Sequence, residues 1–100
     1  MNEEIKLLKA MADETRMKIL RYLLNGEQCA CTIVPFIGKA QPTVSQHLKI
    51  LAEAGILDVR KDGNKVLYKI KSDKAFGIMD ILHIQAMEFN DQELYDCKTE

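Results

Sequence analysis

Apolar residues return at three- and four-residue intervals through the first half of this chain, shorten to alternation between residues 56 and 70, and then return to the longer period. A period near 3.6 marks a helix with one buried face, and a period of two marks a strand. From Glu3 to Ala12, the residues Ile5, Leu8 and Ala12 share a face that Leu7 and Met11 widen, which predicts a short amphipathic helix. Asp13 then offers a cap with Glu14 in the first turn, and Met17, Ile19, Leu20, Leu23 and Leu24 give a second helix a nearly continuous apolar face before Asn25-Gly26 stops it. A helix with that face belongs at the centre. Between Glu27 and Gly38, Pro35 is tolerable only near a helix start, which limits a third helix to a short piece.

Ala40 to Gly55 predicts the best-delimited helix. Pro42 suits its start, Gly55 closes it, and Val44, Leu48 and Leu51 fall at i, i+4 and i+7. The other face carries Gln41, Thr43, Ser45, Gln46 and Lys49. A merely solvated face usually holds more Glu, Lys and Arg, whereas amides, hydroxyls and a lysine on an anchored helix are groups that read base edges and phosphates.

Beyond Gly55 the period changes. Ile56–Lys61 and Lys65–Ile70 alternate or nearly alternate around Asp62-Gly63-Asn64, which predicts a β-hairpin with Lys and Arg at its tip and sides. From Lys74, the residues Ala75, Ile78, Met79, Leu82, Ala86 and Phe89 recur at helical spacing, and this last helix is too apolar to stand in water. Residues 1–90 therefore form one domain, followed by a polar, acidic tail over residues 91–100. The fold class is mainly α with a small antiparallel β-hairpin.

Composition adds an ordinary small domain of 100 residues, 47% hydrophobic. Net charge is -1, yet residues 39–71 carry seven basic against three acidic groups (+4), while residues 72–100 carry two against seven (-5). The central basic stripe is enough to hold phosphates. With no apolar run of membrane-spanning length and no secretion-like start in MNEEIK, the expected location is cytoplasmic, with no membrane partner. The three cysteines are an odd number that includes the close pair Cys29 and Cys31, so they point to ligand or redox chemistry and not to a disulfide framework. His47 and His83 have no serine or cysteine partner at a recognisable spacing, and no glycine-rich phosphate cradle is present, so the sequence supports neither an enzyme nor a small-molecule substrate.

Three helices, a polar-faced helix and a basic hairpin describe a winged helix-turn-helix. The runs Leu8–Leu20, Gln41–Leu51, Gly55-Ile56-Leu57 and Gly63–Tyr68 resemble the ArsR/SmtB family of metal- or stress-responsive repressors, over roughly residues 5 to 85. The resemblance implies a homodimer through the first and last helices, bound to double-stranded DNA at a palindromic operator and released by an inducer. Gln41, Thr43, Ser45, Gln46 and Lys49 would then meet bases or nearby phosphates, and Arg60, Lys61 and Lys65 of the wing would grip phosphate or the adjacent minor groove. A histidine is common in the family at the position of His47, where it packs or faces DNA.

Glu27-Gln28-Cys29-Ala30-Cys31 resembles the Glu-x-Cys-x-Cys signature of arsenic-, lead- and cadmium-responsive members. Thiolates suit a thiophilic effector such as arsenite, antimonite, lead or cadmium. Two cysteines at i, i+2 project about 200° apart on a regular helix, so chelation is expected to unwind that turn. The sequence departs from the family where a third cysteine often follows, since Ile33, Val34 and Phe36 stand there, and Thr32 replaces a frequent Asp. Cys97 supplies the third sulfur in one reading. In a rival reading it forms a redox disulfide with Cys29 or Cys31, and in a third the cysteines are only small buried apolar groups. Asp80, His83 and Glu88 partly resemble a zinc site on the last helix of other members, without its second histidine. A protein-interaction module would need no basic stripe, and a redox enzyme would want Cys-x-x-Cys in a βαβ setting, which is absent.

Overall fold

The computed structural model describes residues 2–87. Among them, helices α1 (Asn2–Met11), α2 (Glu14–Leu23), α3 (Ala30–Ile37), α4 (Gln41–Glu53) and α5 (Asp73–Ile81) combine with strands β1 (Gln28–Cys29), β2 (Leu57–Asp62) and β3 (Lys65–Ile70). The sheet is antiparallel throughout, in the order β1-β3-β2.

Helix α2 is central, as its apolar face requires. Ile19, Leu20 and Leu23 are buried together with Tyr22, whose ring stacks on Phe36 of α3 at 4.2 Å between centroids. Val44, Leu48 and Leu51 of α4, Ile33 and Ile37 of α3, and Ala75 and Met79 of α5 complete the core. Helices α3 and α4 are joined by residues 38–40, where Gly38 takes a left-handed φ of 78°, a conformation that a side chain penalises.

Three local features differ from the sequence expectation. Residues 28 and 29 form a strand on β3, so the hairpin is the larger part of a three-stranded sheet. Two residues are too few for any period to show. Pro35 lies inside α3, well past its first turn, and the helix stays short because Gly38 caps it. Helix α5 stops at Ile81 instead of running on toward Phe89; His83 adopts φ 59°, and the chain turns back onto α2. There the Met87 amide donates to Arg21 O (3.1 Å), Arg21 Nε donates to Gln85 O (2.8 Å) and Asn25 Nδ2 donates to Met87 O (2.7 Å). Partners on α2 and in the turn after it thus satisfy backbone groups that a longer helix would have paired internally.

Asp13 caps α2 as expected, accepting the Arg16 amide at 3.0 Å. That hydrogen bond, with help from the charge of Arg16, holds its carboxyl below the usual carboxylate range. Its stabilisation is therefore complete above the unfolded-state value and fades as pH falls through the native one. Asp13→Ala is expected to cost about 1 kcal/mol at neutral pH, read as a lower urea midpoint, with variant and wild type converging in acid.

Candidate nucleic-acid interface and thiol site

Burying Val44, Leu48 and Leu51 turns the opposite face of α4 outward. Gln41, Thr43, Ser45, Gln46 and Lys49 are all exposed there. The wing presents Arg60, Lys61 and Lys65 on exposed positions of β2 and β3, with Asp62 paired across from Lys65 at the tip. Arg60 is already engaged: its Nε and Nη2 donate to the two carboxylate oxygens of Glu27, each at 2.9 Å. This fork lowers the Glu27 carboxyl below, and raises the Arg60 guanidinium above, their ordinary ranges.

Glu27 opens the Glu-x-Cys-x-Cys segment, so the ion pair ties that segment to the wing. The backbone repeats the tie. Cys29 faces Leu67 across the β1–β3 ladder, and Leu67 faces Arg60 across the β3–β2 ladder, which puts the three residues in one cross-strand row. Opposite charges 33 residues apart leave no local sequence signal, although the place of Glu27 beside the cysteine pair marked it as worth attention.

The cysteine geometry corrects the expectation of diverging sulfurs. Cys29 is not helical; it is the N-cap of α3 with φ -77° and ψ 147°, and Cys31 stands in the first turn. That extended cap swings the Cys29 side chain over the helix end, where it accepts the Cys31 amide at 3.0 Å. The Cα atoms are 5.1 Å apart and the two sulfurs are joined as a disulfide. Chelation by both therefore needs no unwinding of a helical turn. Cys97, the partner expected in the redox reading, lies outside the described residues. Thr32 hydroxyl donates to Cys29 O at 2.9 Å, with Gln28 Oε1 also within reach at 3.3 Å, so it braces the cap without adding a carboxylate.

The last-helix metal residues are not brought together in the expected way. Asp80 lies on α5, whereas His83 lies past its end in the left-handed conformation, and its amide donates to Asp80 O at 3.0 Å. Glu88 and Cys97 lie outside the described residues. Among the described residues no three His, Cys, Asp or Glu side chains cluster to hold a metal ion, and no helix is long and apolar enough to cross a membrane.

A short helix pair with an outward-facing second helix, followed by a basic wing, defines a winged helix-turn-helix transcription regulator. The model of the arsR family of bacterial regulatory proteins matches residues 13–59. The chain is 30% identical over 94 residues to the probable mercury resistance operon repressor of Streptomyces lividans, covering 94% of this chain and 74% of that protein. It is 41% identical over 64 residues to the arsenical resistance operon repressor of Staphylococcus aureus, covering 64% of this chain and 62% of that protein, somewhat less than two thirds of its length. In structure it matches HlyU from Vibrio cholerae N16961 with a TM-score of 0.76 and 33% identity, over 82% of this chain and 89% of the other. The chain belongs to the ArsR/SmtB family, whose members are regulators of transcription and not enzymes.

Cys29 is 9% exposed and Cys31 is more open. After reduction, iodoacetamide is expected to alkylate Cys31 several-fold faster than Cys29, as read by fragment-ion mass spectrometry of the peptide that carries both.

Proposed function

We propose that the protein is a homodimeric repressor that binds a palindromic operator through α4 and the wing, and leaves it when a thiophilic ion binds Cys29 and Cys31. The observation that carries this reading is the position of the sulfur pair: at the N-terminus of α3, in the cross-strand row that ends at Arg60. Two adjacent sulfurs fit a soft ion such as arsenite, antimonite, lead or cadmium better than any oxygen set in the chain. The helix terminus favours negative charge, and thiolate is the form in which cysteine ligates. Cys97, from either subunit, is the proposed third ligand. The resistance repressors similar to this chain, for mercury and for arsenicals, support an effector of this class. Binding would re-aim β1 and Glu27, and through them Arg60.

Dimerisation has its own support. The Lys74–Glu4 ion pair at 3.3 Å brings α5 beside α1, and both helices leave large apolar groups in solvent: Ile5 and Leu8 at 45% and 48% exposure, Ile81 and Leu82 at 76% and 61%. Large exposed apolar groups on adjoining helices suit a second copy, and two-fold pairing presents two reading helices to a symmetric operator.

One observation favours a second reading. Since Cys29 and Cys31 are paired in the structure, a thiol switch can use these two alone. Exchange with a small disulfide such as oxidised glutathione would form the Cys29–Cys31 bond, reduce the reagent to two thiols and leave the oxidised protein with a fixed α3 cap.

The deciding measurement is anisotropy of the reduced protein on its own upstream DNA, with arsenite, cadmium, zinc and oxidised glutathione added separately. Arsenite and cadmium are expected to weaken binding at least about tenfold, and Cys29→Ser and Cys31→Ser to bind DNA normally while losing that response. Release by glutathione disulfide alone would select the redox reading. A second prediction concerns the DNA face. Lys65→Ala is expected to weaken all duplexes alike and reduce the salt slope by about one, whereas Gln46→Ala relaxes sequence preference.

A further inference from the structure

Arg16 stands where three elements meet, and its side chain is committed to two of them. Helix α1 ends with four carbonyls that lack intrahelical donors, as any helix does. The Ala12 amide takes Leu8 O at 3.0 Å and the Asp13 amide takes Met11 O at 2.9 Å. The remaining two go to one guanidinium: Arg16 Nε donates to Ala10 O at 2.7 Å and Nη2 to Lys9 O at 3.4 Å. Its third arm reaches α4, where Nη1 lies 3.2 Å from His47 Nδ1. Arginine has no acceptor, so a hydrogen bond here requires Nδ1 to accept, which calls for the tautomer with its proton on Nε2. The Arg16 amide meanwhile caps onto Asp13, so the residue is held by its backbone as well.

We propose that Arg16 and His47 form the strut that sets the reading helix against α1, and that Arg16 is a positioning residue for sequence-specific DNA binding. The proposal rests on the assignment of α4 as the reading helix. Its physical basis is directional. The apolar stripe of α4 resists its withdrawal from the core, but a stripe of Val and Leu tolerates small rotations and slides along the helix axis. A planar fork tied to two carbonyls at one end and to a ring nitrogen at the other does not. His47 sits one residue beyond Gln46, so a rotation of α4 that breaks the strut also re-aims that amide.

The strut requires the uncharged ring. Protonation puts a hydrogen on Nδ1, removes the acceptor and sets an imidazolium against the guanidinium. Arg16, from α2, and Asp13, from the turn before it, both act on His47, and Lys6, Lys9 and Glu53 line a groove with Arg16. Attraction by Asp13 does not restore the lost acceptor. Histidine is the side chain that ordinarily changes charge in mild acid, which makes pH the probe of the contact.

The test uses the reduced full chain, a duplex recovered by the wild type from a random library, and a scrambled duplex, compared by anisotropy at fixed ionic strength. The quantity read is preference, the ratio of the two affinities. Wild-type preference is expected to fall about fivefold or more between about pH 8 and about pH 5.5. His47→Asn, whose Oδ1 occupies the place of Nδ1 and does not titrate, is expected to keep the preference at both pH values. His47→Leu and Arg16→Met are expected to lose it at pH 8 already. A simple cationic contact with DNA gives the opposite sign, tighter binding in acid. Flat or rising wild-type preference on acidification, equal falls in wild type and His47→Asn, or full preference in His47→Leu would each overturn the strut. Should His47→Leu fail to melt cooperatively, the comparison of wild type with His47→Asn still decides. A wild type that recovers no preferred duplex overturns the DNA-reading assignment itself, and the strut with it.

Discussion

The rest of the structure depends on the burial of one stripe, Val44, Leu48 and Leu51 of α4, against α2 and α3. Each such side chain contributes about 1.5–3 kcal/mol when removed from water, and together they hold a thirteen-residue helix that would be marginal alone. Because a helix has only one face to bury, fixing the stripe also fixes which residues point outward. The outward set is short, polar and rich in hydrogen-bonding groups. Packing in the core thus determines the chemistry at the surface, and the wing extends that surface by a basic hairpin whose base is anchored by buried Leu57 and Ile70.

Three connections converge on α4 and the wing. The core stripe holds α4 radially. Arg16 ties it to the end of α1. The row from Cys29 through Leu67 to Arg60, doubled by the Glu27 fork, ties the wing to the cysteine pair. Membership of the ArsR/SmtB family accounts for the common scaffold, and the last of these connections is the one on which an effector at the sulfurs would act.

Much of this was legible in the sequence, and the reasons are physical. Strong periodicity located α1, α2, α4 and the hairpin, because in each of them an apolar face is buried and a polar one is not. Asp13 was legible as a cap because its side chain bonds to a residue three positions away. What stayed hidden depends on distant partners. The strand β1 has two residues and exists because β3 lies beside it. Helix α5 ends early because Arg21 on α2 and Asn25 in the turn after it hold the chain beyond it, although apolar residues continue at helical spacing. The sulfurs of Cys29 and Cys31 were expected to diverge, since spacing on a regular helix assumes both residues are helical; the extended conformation of Cys29 removes that assumption. Arg16 and His47 lie 31 positions apart, and nothing local in either announces the other.

The shortness of β1 has a consequence for how such a protein can diversify. A strand of two residues at a sheet edge adds few ladder bonds of its own, so outside the Cys29 cap it can change without undoing the core. Under the proposed function, substitutions at Gln28 would alter what the site captures while leaving the buried stripe of α4 untouched. In that reading the sulfur pair sits on the part of the fold that yields most easily, while α4 is held by the part that yields least.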